Sequence, residues 1–161
     1  MKFSVLVISI IAMFAMLSSP LIAEDNKGGI VPGIASCCLI GMPGGQLQNS
    51  GVNIPSRSWA RILIIPAIID GVKAYNGETA EEYLKVSSLP TTSIGKGGVG
   101  NAFLSACCWA GLPAGHLMNS GQNIPARAWL RIVPYVGGIV ALYDGYKAYG
   151  GETMSGYAEI K

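Results

Sequence analysis

Apolar residues in this chain come in long uncharged runs joined by short polar turns, a pattern that predicts helices over strands. No charge lies between Lys27 and Arg57, and only His116 interrupts the stretch from Lys96 to Arg127. Each stretch predicts one helix, near residues 30–42 and 99–112, ended or kinked by Pro43 and Pro113 because proline cannot donate the helical hydrogen bond. Asn-Ser-Gly-x-Asn-Ile-Pro follows at 49–55 and again at 119–125. Asn and Gly tolerate positive φ and Pro suits a helix start. Asn49, Ser50, Gly51, Asn53 and Pro55, with Asn119, Ser120, Gly121, Asn123 and Pro125, therefore read as a turn into a second helix. That helix is expected from about Pro55 to Tyr75 and from about Pro125 to Tyr149, stopped by Asn76-Gly77 and Gly150-Gly151.

The two patterns match because they share a sequence. Sixteen of the 26 residues from Cys37 to Ile62 recur at an offset of 70, and Asp70-Gly-x-Lys-Ala-Tyr75 recurs at an offset of 74 as Asp144 to Tyr149. The extra four residues in the second segment equal about one helical turn, which predicts that the stretch is helical in both. The expected fold is all-α: two tandem helical hairpins from an internal duplication, in a small membrane-embedded four-helix arrangement. The first hairpin and the start of a linker cover 24–85, the linker proper 86–98, and the second hairpin 99–161. Across 76–96, Glu78, Glu81, Glu82, Lys85 and a Thr/Ser/Gly run suggest a solvated connection.

Residues 1–23 have the layout of a signal peptide. Lys2 precedes an apolar core from Phe3 to Leu17, then Ser18, Ser19, Pro20 and the small Ala23. An uncleaved anchor is the competing reading, and either one exports the chain to an inner membrane, an envelope or a periplasmic or secreted location. Only 12% of residues are charged and half are apolar, about half the usual charged fraction, which points to surroundings of lipid or protein. A formal net charge of +2 gives no reason to expect nucleic acid.

The charges are also unevenly placed. Arg57, Arg61, Arg127 and Arg131 are the only arginines and follow the turns, whereas Asp70 and Asp144 lie near the far ends of the second helices. In a membrane this puts the arginines at inner headgroups, with Trp59 and Trp129 in an aromatic belt, and Asp70 paired with Lys73 at the outer surface. Length opposes a full span: eight uncharged residues separate Arg61 from Asp70 and twelve separate Arg131 from Asp144, against about 20 needed.

Candidate chemistry is sparse. Cys37, Cys38, Cys107 and Cys108 are compatible with disulfides between the segments, with packing between helices, or with a thiolate metal site that lacks the usual C-x-x-C spacing. Asn49, Ser50 and Asn53, with Asn119, Ser120 and Asn123, form either a polar cradle beside Arg57 and Arg127 or simple helix caps. His116 stands where the first segment has Gln46, so no catalytic base is repeated. G-x-x-x-G at Gly41/Gly45 and Gly111/Gly115 signals close helix approach or helix ends, and G-x-G-x-x-G at Gly95–Gly100 follows no convincing strand. The expectation is a non-enzymatic structural or assembly subunit without cofactor, its partners being membrane lipid and other membrane proteins or copies of itself. A pore built on Asp70, Asp144, Arg57 and Arg127 is the alternative from transport, and a disulfide-linked secreted binding module the alternative from recognition.

Overall fold

The computed structural model describes residues 29–37, 41–91, 95–106, 111–158 and 160; the signal segment and Cys38, Cys107 and Cys108 lie outside them. The chain is mostly helical. In order it forms α1 (Ile30–Cys37), β1 (Gly41–Pro43), α2 (Gly44–Asn49), α3 (Ser56–Trp59), a 3-10 turn (Ala60–Ile62), α4 (Ile64–Tyr75) and α5 (Ala80–Leu84). The same order follows as α6 (Val99–Ala106), β2 (Gly111–Pro113), α7 (Ala114–Asn119), α8 (Ala126–Leu130), α9 (Val136–Tyr149) and α10 (Met154–Ala158).

Two antiparallel helix pairs frame the molecule. At one end of the first pair Gly29 N donates to Tyr75 O at 2.8 Å, and at the other Arg61 donates to Ser36 O at 2.7 Å, so α1 runs against α4. Gly98 N to Tyr149 O and Arg131 to Ser105 O fix α6 against α9 in the same way. Small residues permit the contact: a Cβ on Gly33 would press on Gly71 O and Tyr75, and one on Gly145 on Ala102 and Ala106. Hairpin-like pairing is thus present, but residues between the paired helices fold into further elements.

Those intervening elements interlock the two segments. β1 pairs with β2 antiparallel, Gly41 opposite Pro113, Met42 opposite Leu112 and Pro43 opposite Gly111, a register unchanged when the strands are exchanged. Gly41 and Gly111 each lie against the other strand's carbonyl, which is why the repeated frame needs glycine there. The helix after each strand then packs on the other segment: α2 on α6 through Gly45, and α7 on α1 through Gly115. A core of Met42, Leu47, Leu112, Leu117, Tyr83, Met154 and Tyr157 closes around the strand pair.

Several expectations are corrected. The first helices are described as Ile30–Cys37 and Val99–Ala106, and the glycine-proline stretches 41–43 and 111–113 pair as strands instead of being helical to 42 and 112. The second helices are broken: Leu63 is extended between the 3-10 turn and α4, and residues 131–135 form turns before α9. The four additional residues are therefore not one turn inside a helix; they are shared between that turn region and a longer helix start, where Tyr135 has φ +66. Residues 80–84 are a helix with buried Ala80, Tyr83 and Leu84, not a solvated connection, because Thr79 and Glu82 form a reciprocal capping box at its start. Among the described residues no helix is long and apolar enough to cross a membrane.

The long helices are amphipathic in the reverse of the usual sense. In α4 the buried positions are Ala67, Asp70, Gly71 and Ala74, while Ile65, Ile68, Ile69, Val72 and Tyr75 face outward. In α9 Gly137, Asp144, Gly145 and Ala148 are inside, and Ile139, Leu142, Tyr143, Tyr146 and Tyr149 outside, with Ile65, Ile139 and Tyr146 exposed by 72%, 70% and 74%. The aspartates and small residues point in; bulk and apolarity point out.

Because a Cβ at position 111 meets the Met42 carbonyl, Gly111→Ala is expected to cost about 3 kcal/mol in urea unfolding. Gly51 has φ +76 and open space around it, so Gly51→Ala is expected to cost only about 1 kcal/mol. Equal losses at the two positions would contradict the strand-contact assignment.

Candidate functional site

The repeated charged residues assemble into two buried clusters. In the first, Arg61 Nε lies 3.2 Å from Asp70 Oδ2 and Arg57 Nε 3.9 Å from Asp70 Oδ1, with Asp70 only 2% exposed. Arg57 also donates to Glu78 Oε2 at 2.8 Å and covers the Tyr83 ring at 3.8 Å. The second cluster has the same parts: Arg131 Nη1 is 3.2 Å and Arg127 Nη1 3.5 Å from Asp144, Arg127 Nη2 is 2.8 Å from Glu152, and the guanidinium lies 4.1 Å over Tyr157. Asp144 has no exposure at all.

Each cluster borrows one residue from the other segment. His116, at the start of α7, presents Nε2 to Glu78 Oε2 at 2.8 Å and Nδ1 to the Ser36 hydroxyl at 3.2 Å, its ring edge packed on Tyr83. Gln46, its counterpart in α2, donates to Glu152 Oε2 at 3.0 Å and accepts from the Ser105 hydroxyl at 2.7 Å. A neutral imidazole that accepts at Nδ1 and donates at Nε2 offers the same two bonds as an amide. That equivalence explains how one position holds either residue.

Burial sets the protonation of these groups. Desolvation raises Asp144 to about 6 against the opposing pull of Arg131 and Arg127, and it raises Asp70 against Arg61 and Arg57. Desolvation also lowers His116 to about 4, outweighing the Glu78 carboxylate that favours its charged form. At Glu78 burial pushes upward, but the hydrogen bonds from Arg57 and His116 bring the carboxyl below its ordinary value. The result is a set of neutralised interior charges, with His116 uncharged at neutral pH.

The structure reassigns most of the residues singled out in the sequence. Arg57, Arg61, Arg127 and Arg131 do not form a headgroup shoulder; they turn inward because Asp70 and Asp144 cannot be buried without them. Asp70 pairs with these arginines instead of Lys73, which reaches Glu78 at 3.5 Å. Trp129 is buried in the core, while Trp59 is about half exposed.

Asn49 and Asn119 serve the opposite segment. Asn49 Nδ2 donates to Ala148 O and Glu152 O, and Asn119 Nδ2 to Ala74 O and Glu78 O, all at 2.8 Å. Ser50 and Ser120 accept from Met154 N and Ala80 N, capping α10 and α5. Gly51 and Gly121 take positive φ as the turn requires, Pro55 and Pro125 stand at the helix starts, and Asn53 and Asn123 are exposed. The four cysteine thiols lie outside the description, and among the described residues no group of His, Cys, Asp and Glu could hold a metal.

Glu78, Glu152, Tyr83 and Tyr157 complete the clusters, although Glu78 falls in the stretch that reads as a solvated connection and the other three carry no motif of recognised chemistry. Their signal was present: Gly-Glu-Thr-x-x-x-Tyr recurs at 77–83 and 151–157 with the same offset of 74 as the Asp-Gly-x-Lys-Ala-Tyr stretch.

Removing one partner of a buried pair strands the other. Arg61→Leu is expected to lower unfolding free energy by about 3–5 kcal/mol, and adding Asp70→Leu to restore a large part of the loss, as a double-mutant cycle measures. A second expectation concerns pH. A histidine held at about 4 when folded and 6.5 when unfolded makes the unfolded chain bind more protons between these values, so its contribution raises stability as pH climbs through that window. Asp144, raised from 3.8 to about 6, contributes with the opposite sign in nearly the same window. His116→Gln is therefore expected to lose the rise and show stability falling from pH 4 toward pH 6.5 relative to wild type, by up to about 3 kcal/mol across the range. Parallel curves for the two proteins in urea titrations would contradict the burial of a neutral imidazole.

No protein-family model, curated protein or solved structure matches this chain, so its functional reading rests on the geometry above.

Proposed function

We propose that the protein is a non-enzymatic structural or assembly subunit of a membrane or cell envelope, attached to lipid by the outward faces of α4 and α9 without crossing the bilayer. One observation carries this reading: the reversed amphipathicity of both long helices. Ile65, Ile68, Ile69 and Val72 on one, and Ile139, Leu142 and Tyr146 on the other, form uncharged outer stripes on a chain that spends its arginines and aspartates inside. Stripes of contiguous large apolar side chains mark surfaces that meet lipid or protein. At 1.5 Å per residue the 12 residues of α4 reach about 18 Å and the 14 of α9 about 21 Å, short of a hydrocarbon core of about 30 Å. Helices of this kind lie at the interface.

The matched sequence frames, ion pairs and exchanged asparagine bonds support an origin by internal duplication. A pore lined by Asp70, Asp144, Arg57 and Arg127 gains no support, since the aspartates are buried and all four are engaged in pairs.

Vesicle flotation tests the attachment. The protein is expected to float with phospholipid vesicles, and Ile68→Glu with Ile139→Glu to reduce the floated fraction by about tenfold or more without lowering the melting temperature, because both side chains are already exposed. Wild-type protein that stays in the lipid-free layer would sink the reading. A stable oligomer in that layer would assign the stripes to copies of the chain instead.

A further inference from the structure

The two ion clusters differ in one electrostatic respect. In the first, Glu78 Oε2 takes both Arg57 and His116, so Oε1 remains to pair with Lys73 at 3.5 Å. In the second, Gln46 takes Glu152 Oε2 and Arg127 faces Oε1, which engages both oxygens. Lys147, the counterpart of Lys73, pairs with no carboxylate among the described residues and meets only the Tyr143 ring at 5.7 Å. Tyr143 itself stands where the first segment has Ile69.

Beside this lysine is a cavity of about 480 Å³. Arg127, Lys147, Tyr143, Tyr157 and Asn123 line it, together with Glu152, whose charge is already matched by Arg127. Among the described residues the lining therefore carries a cation in excess, Lys147, with aromatic walls and an exposed amide. Tyr143 and Lys147 of the lining belong to the C-terminal half of α9, whose outer stripe includes Leu142 and Tyr146.

We propose that this cavity is an anion site for phosphate chemistry, with Lys147 as the point charge and Arg127 as the second donor group. Inorganic phosphate and the phosphodiester of a lipid headgroup share that chemistry. The headgroup source rests on the attachment proposed above, since a lipid lying along the α9 stripe would bring its phosphate to the lysine at the stripe's end.

Two probes separate the sources: inorganic phosphate titrated into the full-length protein by calorimetry, and flotation with vesicles of phosphatidylglycerol against vesicles of phosphatidylcholine. Lys147→Gln is expected to weaken phosphate binding by about tenfold or more, while Lys73→Gln, at the paired counterpart, leaves it within about twofold. If the headgroup is the source, Lys147→Gln also removes the preference for phosphatidylglycerol vesicles and leaves phosphatidylcholine binding unchanged. Phosphate binding that depends on Lys147 in a protein that floats with neither vesicle would keep the site and overturn lipid attachment. Flotation with both vesicles, with no phosphate binding and no effect of Lys147→Gln, would keep attachment and overturn the site.

Discussion

A carboxylate cannot be withdrawn from water without compensation, and Asp70 and Asp144 are almost wholly withdrawn. Each is met by two arginines that stand 9 to 17 residues before it in the chain. A continuous helix would carry those arginines about 13 Å or more away along its axis. The chain must therefore fold back, which it does at Leu63 in the first segment and through residues 131–135 in the second. Glu78 and Glu152 then draw the following segment over the arginines, placing Tyr83 and Tyr157 under the guanidinium planes. The reversed amphipathicity has the same origin. With 12% of residues charged, turning the arginines and aspartates inward leaves too few to cover the outside.

The repeated turn has a second task that only the folded molecule reveals. The last carbonyls of a helix have no intrahelical partner, and Asn49 and Asn119 add amide donors across the molecule to Ala148 O and Ala74 O, which also accept from Gly151 N and Gly77 N. Ser50 and Ser120 add acceptors for the next helix start. Each turn is thus completed by the other segment, and with the strand pair these bonds make the two segments mutually dependent. A single segment would lack the side-chain amide that adds to the Gly77 N–H at Ala74 O, the acceptor at the start of α5 and the partner for its strand.

Helix type and the turn were legible because local chemistry decides them: the apolar runs, the prolines and the Asn-Ser-Gly turn act over a few residues. The breaks were not legible, since they arise from pairs such as Arg61 with Asp70, which compete with helix propensity only once the fold exists. The strands were hidden for a similar reason. Gly-Met-Pro and Gly-Leu-Pro are poor strand sequences, held by the close approach of two glycines. An offset of 70 also concealed the helix equivalence: Ser36 and Ser105, which accept from Arg61 and Arg131, are 69 apart, as are Gly29 and Gly98, so one residue is inserted before the second cysteine pair. The arginines are remote from acid along the chain and adjacent to it in space, because proximity in sequence is not proximity in the fold.

Positions where the segments diverge show what the architecture requires. Ser58 bonds both the amide and the carbonyl of Gly111, whereas its counterpart Ala128 has no hydroxyl and the Gly41 carbonyl accepts from Tyr157 at 3.3 Å. His116 and Gln46 likewise meet one demand, a donor toward a glutamate and an acceptor toward a serine, with different chemistry. The imidazole can titrate and the amide cannot, so a shared geometry gives the two clusters different responses to pH. Their lysines differ as well, Lys73 reaching Glu78 and Lys147 facing the Tyr143 ring. Satisfied bonds are therefore the common requirement, and the residues free to vary within it are those through which two similar segments acquire different properties.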